Sequence, residues 1–243
     1  MELISKAHLK ELMKLKQKKY RESTSKVLVE GIRLIRQLTE NKVPILELLT
    51  TSESIDKLQF KADKYFKLEE WQILKLSSTK HPQEMLALLS IKFPAIVNNN
   101  FLLYLENIQE PGNLGTIFRT ALAAGVDGII LSPDCCELTN PKVIRSSLGS
   151  VFSLPSKIET IDWLFKQDSL IISTSSHQAQ NIFDIYIPEE NKILVLGSEA
   201  HGISQKILDA SKYRVKIPIS NKIESLNVAA AAAISIYHFS NAR

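Results

Sequence analysis

The chain has 243 residues, of which 44% are hydrophobic and 23% are charged, with a formal net charge of +4. This composition excludes a disordered chain, which needs fewer apolar residues and more net charge. The two cysteines, Cys135 and Cys136, are adjacent and cannot cross-link distant parts of one chain. No apolar run approaches the ~18 residues of a membrane span. We therefore expect a reduced, cytoplasmic protein of one large or two modest domains.

Charge is distributed unevenly along the sequence. Residues 1–42 contain eleven Lys and Arg against five acids, a net charge of +6, so the remaining 201 residues sum to −2. A basic segment favours a nucleic-acid partner, because neutralising phosphates releases counterions. It is equally typical of the solvated face of an ordinary surface helix. The candidate nucleic-acid contacts are Lys16, Lys18, Lys19 and Arg21, together with Arg145 from the second half.

The first 95 residues predict a small α/β domain. The spacing of Leu9, Leu12, Met13 and Leu15 is typical of an amphipathic helix. Strands are predicted at 27–29, 45–49 and 71–76, and a helix at 32–38 after Gly31. Breakers at 93–94 and 98–100 place a linker near residues 92–100. The predicted domains are therefore 1–95 and 96–243.

The second half alternates regularly between short apolar runs and helical stretches. Strands are predicted at 101–105, 128–131, 169–173, 192–196 and 213–217, and helices at 114–124, 141–148, 161–166, 205–210 and 226–239. This alternation predicts a parallel sheet covered by helices. Ligands of such sheets bind outside the carboxyl ends of the strands, so functional residues are expected in the loops that follow the strands.

The loop at 106–113 follows a strand and opens a helix. Asn113 is a plausible N-cap of that helix. Arg119 follows six residues later, about 240° around the helix axis from Asn113. The helix start can present both side chains to one cleft, or it can be a capped helix with a surface arginine.

Two further loops carry polar residues at strand ends. Gly197 and Gly202 flank Glu199, and glycine permits close approach of the backbone to a ligand. His201 in the same loop is expected at the surface. The loop after Pro218 delivers Ser225 and Asn227 to an alanine-rich helix, where either residue is a fair cap.

Together these three segments resemble the motifs of the SpoU (TrmH-type) RNA 2′-O-ribose methyltransferases of the SPOUT class. The family patterns are N-x-x-x-P-x-N-x-G-x-x-x-R-T, then G-x-E-x-x-G, then I-P followed after six to eight residues by S-L-N-V. They match residues 107–120, 197–202 and 217–228 in order and spacing. The segment 140–149 also resembles the family. Residues 1–95 resemble its substrate-binding extension, which is akin to kink-turn-binding ribosomal proteins.

The resemblance implies a C-terminal parallel-sheet α/β domain with a deep trefoil knot, preceded by a small α/β substrate-binding domain. It implies a homodimer that uses S-adenosylmethionine and no metal, and an RNA substrate, most often ribosomal RNA. Transfer RNA and a non-catalytic RNA-binding or ribosome-assembly role are the alternatives. The implied catalytic residues are Arg119, Asn113, Glu199, Ser225 and Asn227. The implied cofactor contacts are Thr174, Gly197, Ile217 and Leu226.

The implied reaction is attack of a ribose 2′-OH on the methyl carbon of a sulfonium, which requires alignment and removal of the hydroxyl proton. An arginine is an unusual base, because the pKa of guanidinium lies above about 12. Two hypotheses remain: Arg119 is exceptionally perturbed, or it binds a nearby phosphate that takes the proton. The motif-three turn has Asn221 where the family usually has glycine, and Asn tolerates a left-handed backbone.

Overall fold

The computed structural model describes residues 2–51, 60–175, 179–187, 191–198 and 201–240. Its contacts divide the chain into two compact units, Met1–Lys92 with Leu138–Ser153 (unit 1) and Phe93–Glu137 with Leu154–Arg243 (unit 2). In chain order the elements up to residue 92 are β1 (Glu2–Leu3), α1 (Lys6–Lys14), α2 (Lys18–Thr24), β2 (Lys26–Glu30), α3 (Ile32–Glu40), β3 (Glu47–Thr50), β4 (Lys64–Lys67), α4 (Glu70–Leu76) and β5 (Met85–Ser90).

The remaining elements alternate strand and helix. They are β6 (Phe101–Glu106), α5 (Pro111–Ala123), β7 (Gly128–Leu131), α6 (Pro141–Ser146), β8 (Ser156–Ile158), α7 (Ile161–Leu164), β9 (Leu170–Thr174), β10 (Gln180–Asn181), β11 (Lys192–Gly197), α8 (Gln205–Ala210), β12 (Tyr213–Lys216) and α9 (Val228–Phe239). None of the helices in the described ranges is long and apolar enough to cross a membrane.

Unit 1 is built on a mixed five-stranded sheet with the strand order β1-β4-β3-β5-β2. β3 and β4 are parallel, whereas β5 runs antiparallel to both β3 and β2. Leu9 and Leu12 of α1 and Ile73 and Leu76 of α4 pack in one buried apolar cluster with residues of the sheet. Segment 138–153 also belongs to this unit. Its Gly149 lies so close to α3 that a Cβ there would be 2.9 Å from the Leu38 side chain.

One predicted strand in unit 1 is wrong. Residues 71–76 form helix α4, with Gln72, Ile73 and Leu76 buried at helical spacing. A capping box starts the helix, in which the Glu69 side chain accepts from the first turn and the Gln72 side chain accepts from the Glu69 backbone N–H. β4 and β5 were not predicted.

Unit 2 is a seven-stranded parallel sheet with the order β10-β12-β9-β11-β6-β7-β8. This confirms the parallel α/β architecture and five of its strands; the short strands β8 and β10 were not predicted. Leu103, Leu105 and Leu194 are fully buried, as expected for strands covered on both faces. Register places Gly197 beside Glu106 and Val215 beside Thr174. The loops that follow these adjacent strands therefore meet at one edge. The trefoil knot stays a prediction.

Candidate active site at the strand ends

A cavity of about 820 Å³ opens at the carboxyl edge of unit 2, and we call it the Thr174 cavity. Its walls come from the ends of β9, β11 and β12 and from the loop before α9. The four residues predicted to contact a cofactor all line it: Thr174, Gly197, Ile217 and Leu226. Small-ligand sites typically enclose about 300–1,000 Å³. The cavity is thus large enough for a nucleoside-sized ligand.

Gly197 is required by the chain's own backbone. A Cβ at this position would overlap the carbonyl group of Gly202 and lie 2.6 Å from the backbone nitrogen of Ile203. Gly202, at φ +65°, returns a hydrogen bond from its backbone N–H to the Ser198 carbonyl at 2.8 Å. The glycine therefore permits a tight turn, which in turn forms part of the cavity wall. Glu199 lies outside the described residues.

The first and third motifs meet through two asparagines. Asn227 Nδ2 donates to Asn113 Oδ1 at 3.0 Å, which ties the start of α9 to the start of α5. Asn227 also caps α9, since its Oδ1 accepts from the backbone N–H groups of Ala229 and Ala230 at 3.0 and 3.3 Å. The two helix starts are thereby held beside the Thr174 cavity, which Val228 lines.

Two capping predictions are corrected. Glu110, not Asn113, caps α5: its Oε2 accepts from the Asn113 backbone N–H at 2.6 Å, and Pro111 occupies the first helical position. The side chain of Asn113 is thereby left to bond Asn227. Ser225 does not cap α9, because it lies two residues before the cap, where it lines the cavity in an exposed position.

Arg119 projects from α5 as an exposed side chain. Arg119 lines none of the three cavities found among the described residues at this edge. The structure therefore places Ser225 at the Thr174 cavity, joins Asn113 to Asn227 by a hydrogen bond beside it, and places the arginine on the solvent side of the same helix as Asn113.

Two smaller cavities adjoin the first. The Asn113 cavity, about 230 Å³, is lined by Asn113, Asn107, Ser198, Val228 and His201 among others. The Lys206 cavity, about 540 Å³, lies beyond it. His201 borders all three cavities. The sequence predicts His201 at the surface, and it is exposed; that three cavities meet at this residue depends on the fold and has no local sequence signal.

Two ionisable groups near this edge are held neutral. Burial, and then the negative charge of Glu106, raises the pKa of Tyr104 to about 12. Burial also raises the pKa of the Cys135 thiol. Neither group offers a base at neutral pH. Within the described part of the chain, no three His, Cys, Asp or Glu side chains cluster as metal ligands would.

The candidate RNA contacts all lie in unit 1. Three of them are exposed lysines: Lys16 lies between α1 and α2, and Lys18 and Lys19 begin α2. Arg145 is also exposed, and its Nη1 donates to Ser78 Oγ at 2.9 Å.

Arg21 is a correction. It is only 4% exposed, and its Nη1 donates to the carbonyls of Leu15 and Lys16 at 3.0 Å each. The guanidinium holds the turn between α1 and α2 and does not face solvent, so a phosphate has no access to it.

The fold and these cavities define an α/β protein with cavities at the carboxyl edge of a parallel sheet, the edge at which such folds bind ligands. The model of the SpoU rRNA Methylase family matches residues 100–237, and that of the MRM3-like substrate binding domain matches residues 6–87. The chain belongs to the SpoU rRNA methylase family.

Relatives match over nearly the whole chain. An uncharacterized tRNA/rRNA methyltransferase of Synechocystis is 31% identical over 94% of this chain and 89% of its own length. RlmP of Bacillus subtilis, named 23S rRNA (guanosine(2553)-2′-O)-methyltransferase, is 28% identical over 95% of this chain and 94% of its own. The SpoU methyltransferase AviRb of Streptomyces viridochromogenes, solved in complex with the cofactor AdoMet, superposes with a TM-score of 0.81 at 25% identity, covering 96% of this chain and 97% of its own.

Proposed function

We propose that this protein transfers a methyl group from S-adenosylmethionine to a ribose 2′-OH of ribosomal RNA. The observation that carries the proposal is the hydrogen bond between Asn227 and Asn113, which lines the small cavity that shares Val228 with the Thr174 cavity. It joins predicted catalytic residues of two distant motifs next to the cavity that all four predicted cofactor residues line.

The residues of the Thr174 cavity suit this cofactor. Ser235 of α9 is fully buried on its wall, and its Oγ has no hydrogen-bond partner among the described residues. A buried hydroxyl without a partner is unusual in a finished core and is expected where a polar ligand docks. When bound, S-adenosylmethionine supplies a sulfonium methyl carbon as the electrophile. Thr174, Gly197, Ile217 and Leu226 would hold it.

The Asn113 cavity is the place for the acceptor ribose. It shares Ser198, His201 and Val228 with the Thr174 cavity, so a hydroxyl there lies next to the donor. Asn113 is fixed by Asn227, and a fixed amide orients a hydroxyl for in-line attack. Glu199, which lies outside the described residues, is the remaining polar residue of the set predicted from sequence.

Arg119 binds the RNA backbone in this proposal. An exposed guanidinium presents a rigid fork of donors that matches phosphate geometry. Arg119 lines none of the three cavities, so the phosphate it holds would belong to the RNA backbone outside the Asn113 cavity. An oxygen of that phosphate would accept the 2′-OH proton as the C–O bond forms and the C–S bond of the sulfonium breaks, with the neutral thioether as the leaving group. This assignment favours the second of the two hypotheses for the arginine.

The finer organisation of the molecule is part of the proposal. Residues 1–95 form the RNA-binding domain, with Lys16, Lys18 and Lys19 as its phosphate contacts. Residues 96–243 form the methyltransferase domain, and its Arg145 is a further phosphate contact. A cytoplasmic location belongs to the same proposal, and the bacterial rRNA methyltransferase among the relatives supports it.

We also propose a homodimer. α9 exposes Ile234 (37%) and Tyr237 (54%), and Phe183 beside it is 58% exposed. Clustered exposed apolar side chains mark interaction surfaces, and a second copy would cover them. A dimeric mass by light scattering, lost in Tyr237→Asp, is the expected result; a monomeric wild type contradicts it.

The test of the function is transfer of labelled methyl from S-adenosylmethionine to size-fractionated RNA from cells that lack this protein. We expect label in large ribosomal RNA, a loss of at least ~100-fold in Arg119→Ala, and a substantial loss in Arg119→Lys, because Lys cannot bind phosphate with a two-pronged fork. Label in transfer RNA instead would contradict the ribosomal substrate and assign transfer RNA as the substrate. Cofactor binding without transfer to naked RNA or to ribosomal subunits would contradict the proposal.

A further inference from the structure

The Lys206 cavity has no role in the proposed binding of the cofactor or the acceptor ribose. It is lined by Glu106, Asn107 and Asp134 from the ends of β6 and β7 and the loops after them, and by Ser204 and Lys206 at the start of α8. It shares His201 and Asn107 with the Asn113 cavity, and His201 and Gly202 with the Thr174 cavity. The three cavities thus form a continuous series around the turn that contains His201.

This order constrains what occupies the Lys206 cavity. The donor is assigned to the Thr174 cavity and the acceptor ribose to the Asn113 cavity. In a nucleotide the base is attached to the carbon adjacent to the one that carries the 2′-OH. A base whose ribose lies in the Asn113 cavity must therefore occupy a neighbouring space, and the Lys206 cavity, about 540 Å³, is such a neighbour.

The walls of this cavity are rich in hydrogen-bond acceptors. Asn107 Oδ1 is buried and has no hydrogen-bond partner within the described residues, and the same holds for Ser204 Oγ. Glu106 and Asp134 add two carboxylates, and Glu106 is held in place because its Oε2 accepts from the Ser204 backbone N–H at 2.8 Å. Carboxylates and amide oxygens accept hydrogen bonds from donors such as the exocyclic amino groups of bases.

We propose that the Lys206 cavity receives the base of the target nucleotide and selects a base that carries an exocyclic amino group. Uracil, whose edge is dominated by carbonyl acceptors, is disfavoured by the acceptor-rich wall. Lys206, which is exposed, pairs with the phosphate of the same nucleotide. The inference rests on the proposed function, since it presupposes that the protein methylates RNA.

The experiment measures methyl transfer to large ribosomal RNA from cells that lack this protein, using the full chain. Asp134→Asn and Lys206→Ala are each expected to lower kcat/KM for RNA ~10-fold, while the dissociation constant of S-adenosylmethionine changes less than ~2-fold by calorimetry. The matched controls are Asp168→Asn and Lys212→Ala, exposed residues of the same unit outside the cavity, which are expected to match wild type.

A second measurement reads specificity, which a purely structural role would not alter. After the methylated nucleotide is mapped, transcripts carrying each base at that position are compared. Wild type is expected to methylate the uridine transcript at least ~10-fold less efficiently than the best amino-bearing base, and Asp134→Asn is expected to lose most of that preference.

Each other outcome has a distinct meaning. If wild type transfers methyl but both variants match it, the base lies elsewhere and the cavity assignment is overturned. Equal or preferred use of uridine by wild type overturns it too, as does a loss of cofactor binding in the variants. If wild type methylates no RNA, the proposed function itself fails.

Discussion

Polar residues at strand ends have opposite surroundings in the two units. In unit 1, Glu30 ends β2 and is buried; its Oε2 accepts from Ser77 Oγ at 2.8 Å, and its Oε1 accepts from Thr79 Oγ1 at 3.0 Å and from the Gln83 backbone N–H at 2.8 Å. In unit 2, Asn107 follows β6, and its buried Oδ1 has no partner within the described residues.

The difference separates scaffold from site. A buried carboxylate with three donors is complete, and it fixes the loop between α4 and β5 without help from a ligand. A buried acceptor without a hydrogen-bond partner lowers the stability of the ligand-free protein. Such an acceptor is expected where a bound ligand supplies the donor. In this pair of sites, the satisfied Glu30 has a structural role, and the unsatisfied Asn107, which lines two cavities, is the candidate ligand contact.

The largest test of this comparison is Glu30→Ala. Removing the carboxylate takes the acceptor from three donors, of which the Ser77 hydroxyl is buried, so we expect the free energy of unfolding to fall by about 3 kcal/mol in urea titrations. Glu30→Gln keeps one acceptor and is expected to lose about half as much. Glu22→Ala, at an exposed site, is the control. A change in Glu30→Ala no larger than in this control would show that the network is not structural.

Gly197→Ala tests whether unit 2 holds its strand-end turn by backbone fit. The new Cβ would meet backbone atoms of Gly202 and Ile203, which cannot rotate away as a side chain can. We expect a loss of about 2 kcal/mol in stability and weaker binding of S-adenosylmethionine.

Gly125→Ala is the matched control. Its Cβ meets nothing within 4 Å, but its φ is +71°, so backbone strain alone is tested. It is expected to cost about 1 kcal/mol without changing cofactor affinity. Equal cofactor binding in both variants would contradict the assigned role of the turn.

Much of this arrangement could be predicted from sequence, and the failures have identifiable causes. The parallel sheet followed from apolar runs alternating with helical stretches. Residues 71–76 were misassigned because six residues are too few to separate the two periodicities, although the capping pair Glu69 and Gln72 was visible. Pro111 likewise marked Glu110 as the cap of α5, since proline favours the first helical position.

Other features depend on contacts between residues far apart in the chain. Arg21 Nε donates to Thr139 Oγ1 at 3.4 Å across 118 positions, and no local pattern shows that this arginine turns inward. The joining of three loops into one series of cavities depends on strand order, which the linear sequence does not contain. The unpartnered Asn107 could be recognised only once its neighbours were known.

Tyr104 provides a pH-dependent test within unit 2. It is 1% exposed, and its pKa rises to about 12, mainly through burial. The unfolded chain loses this proton near pH 10 and the folded chain near pH 12. The stabilising contribution of neutral Tyr104 is therefore fully present below pH 10 and is lost as the pH rises from 10 to 12. The expected loss is about 1.4 kcal/mol between pH 9 and pH 11 in urea titrations. Tyr104→Phe should lack this share of the slope; an unchanged slope would mean that Tyr104 does not titrate differently on folding.

The smallest expected effect is the most discriminating. Ser235→Ala removes a fully buried hydroxyl that has no partner among the described residues, so no bond is lost and an unpaired group disappears. We expect the stability of the ligand-free protein to change by less than about 0.5 kcal/mol, or to rise, while the affinity for S-adenosylmethionine falls. Thr79→Val in unit 1 is the counterpart, because it breaks the bond to Glu30 and should destabilise the protein by about 1 kcal/mol without affecting the cofactor. If the two variants behaved alike, hydrogen-bond satisfaction would not distinguish scaffold from site in this protein.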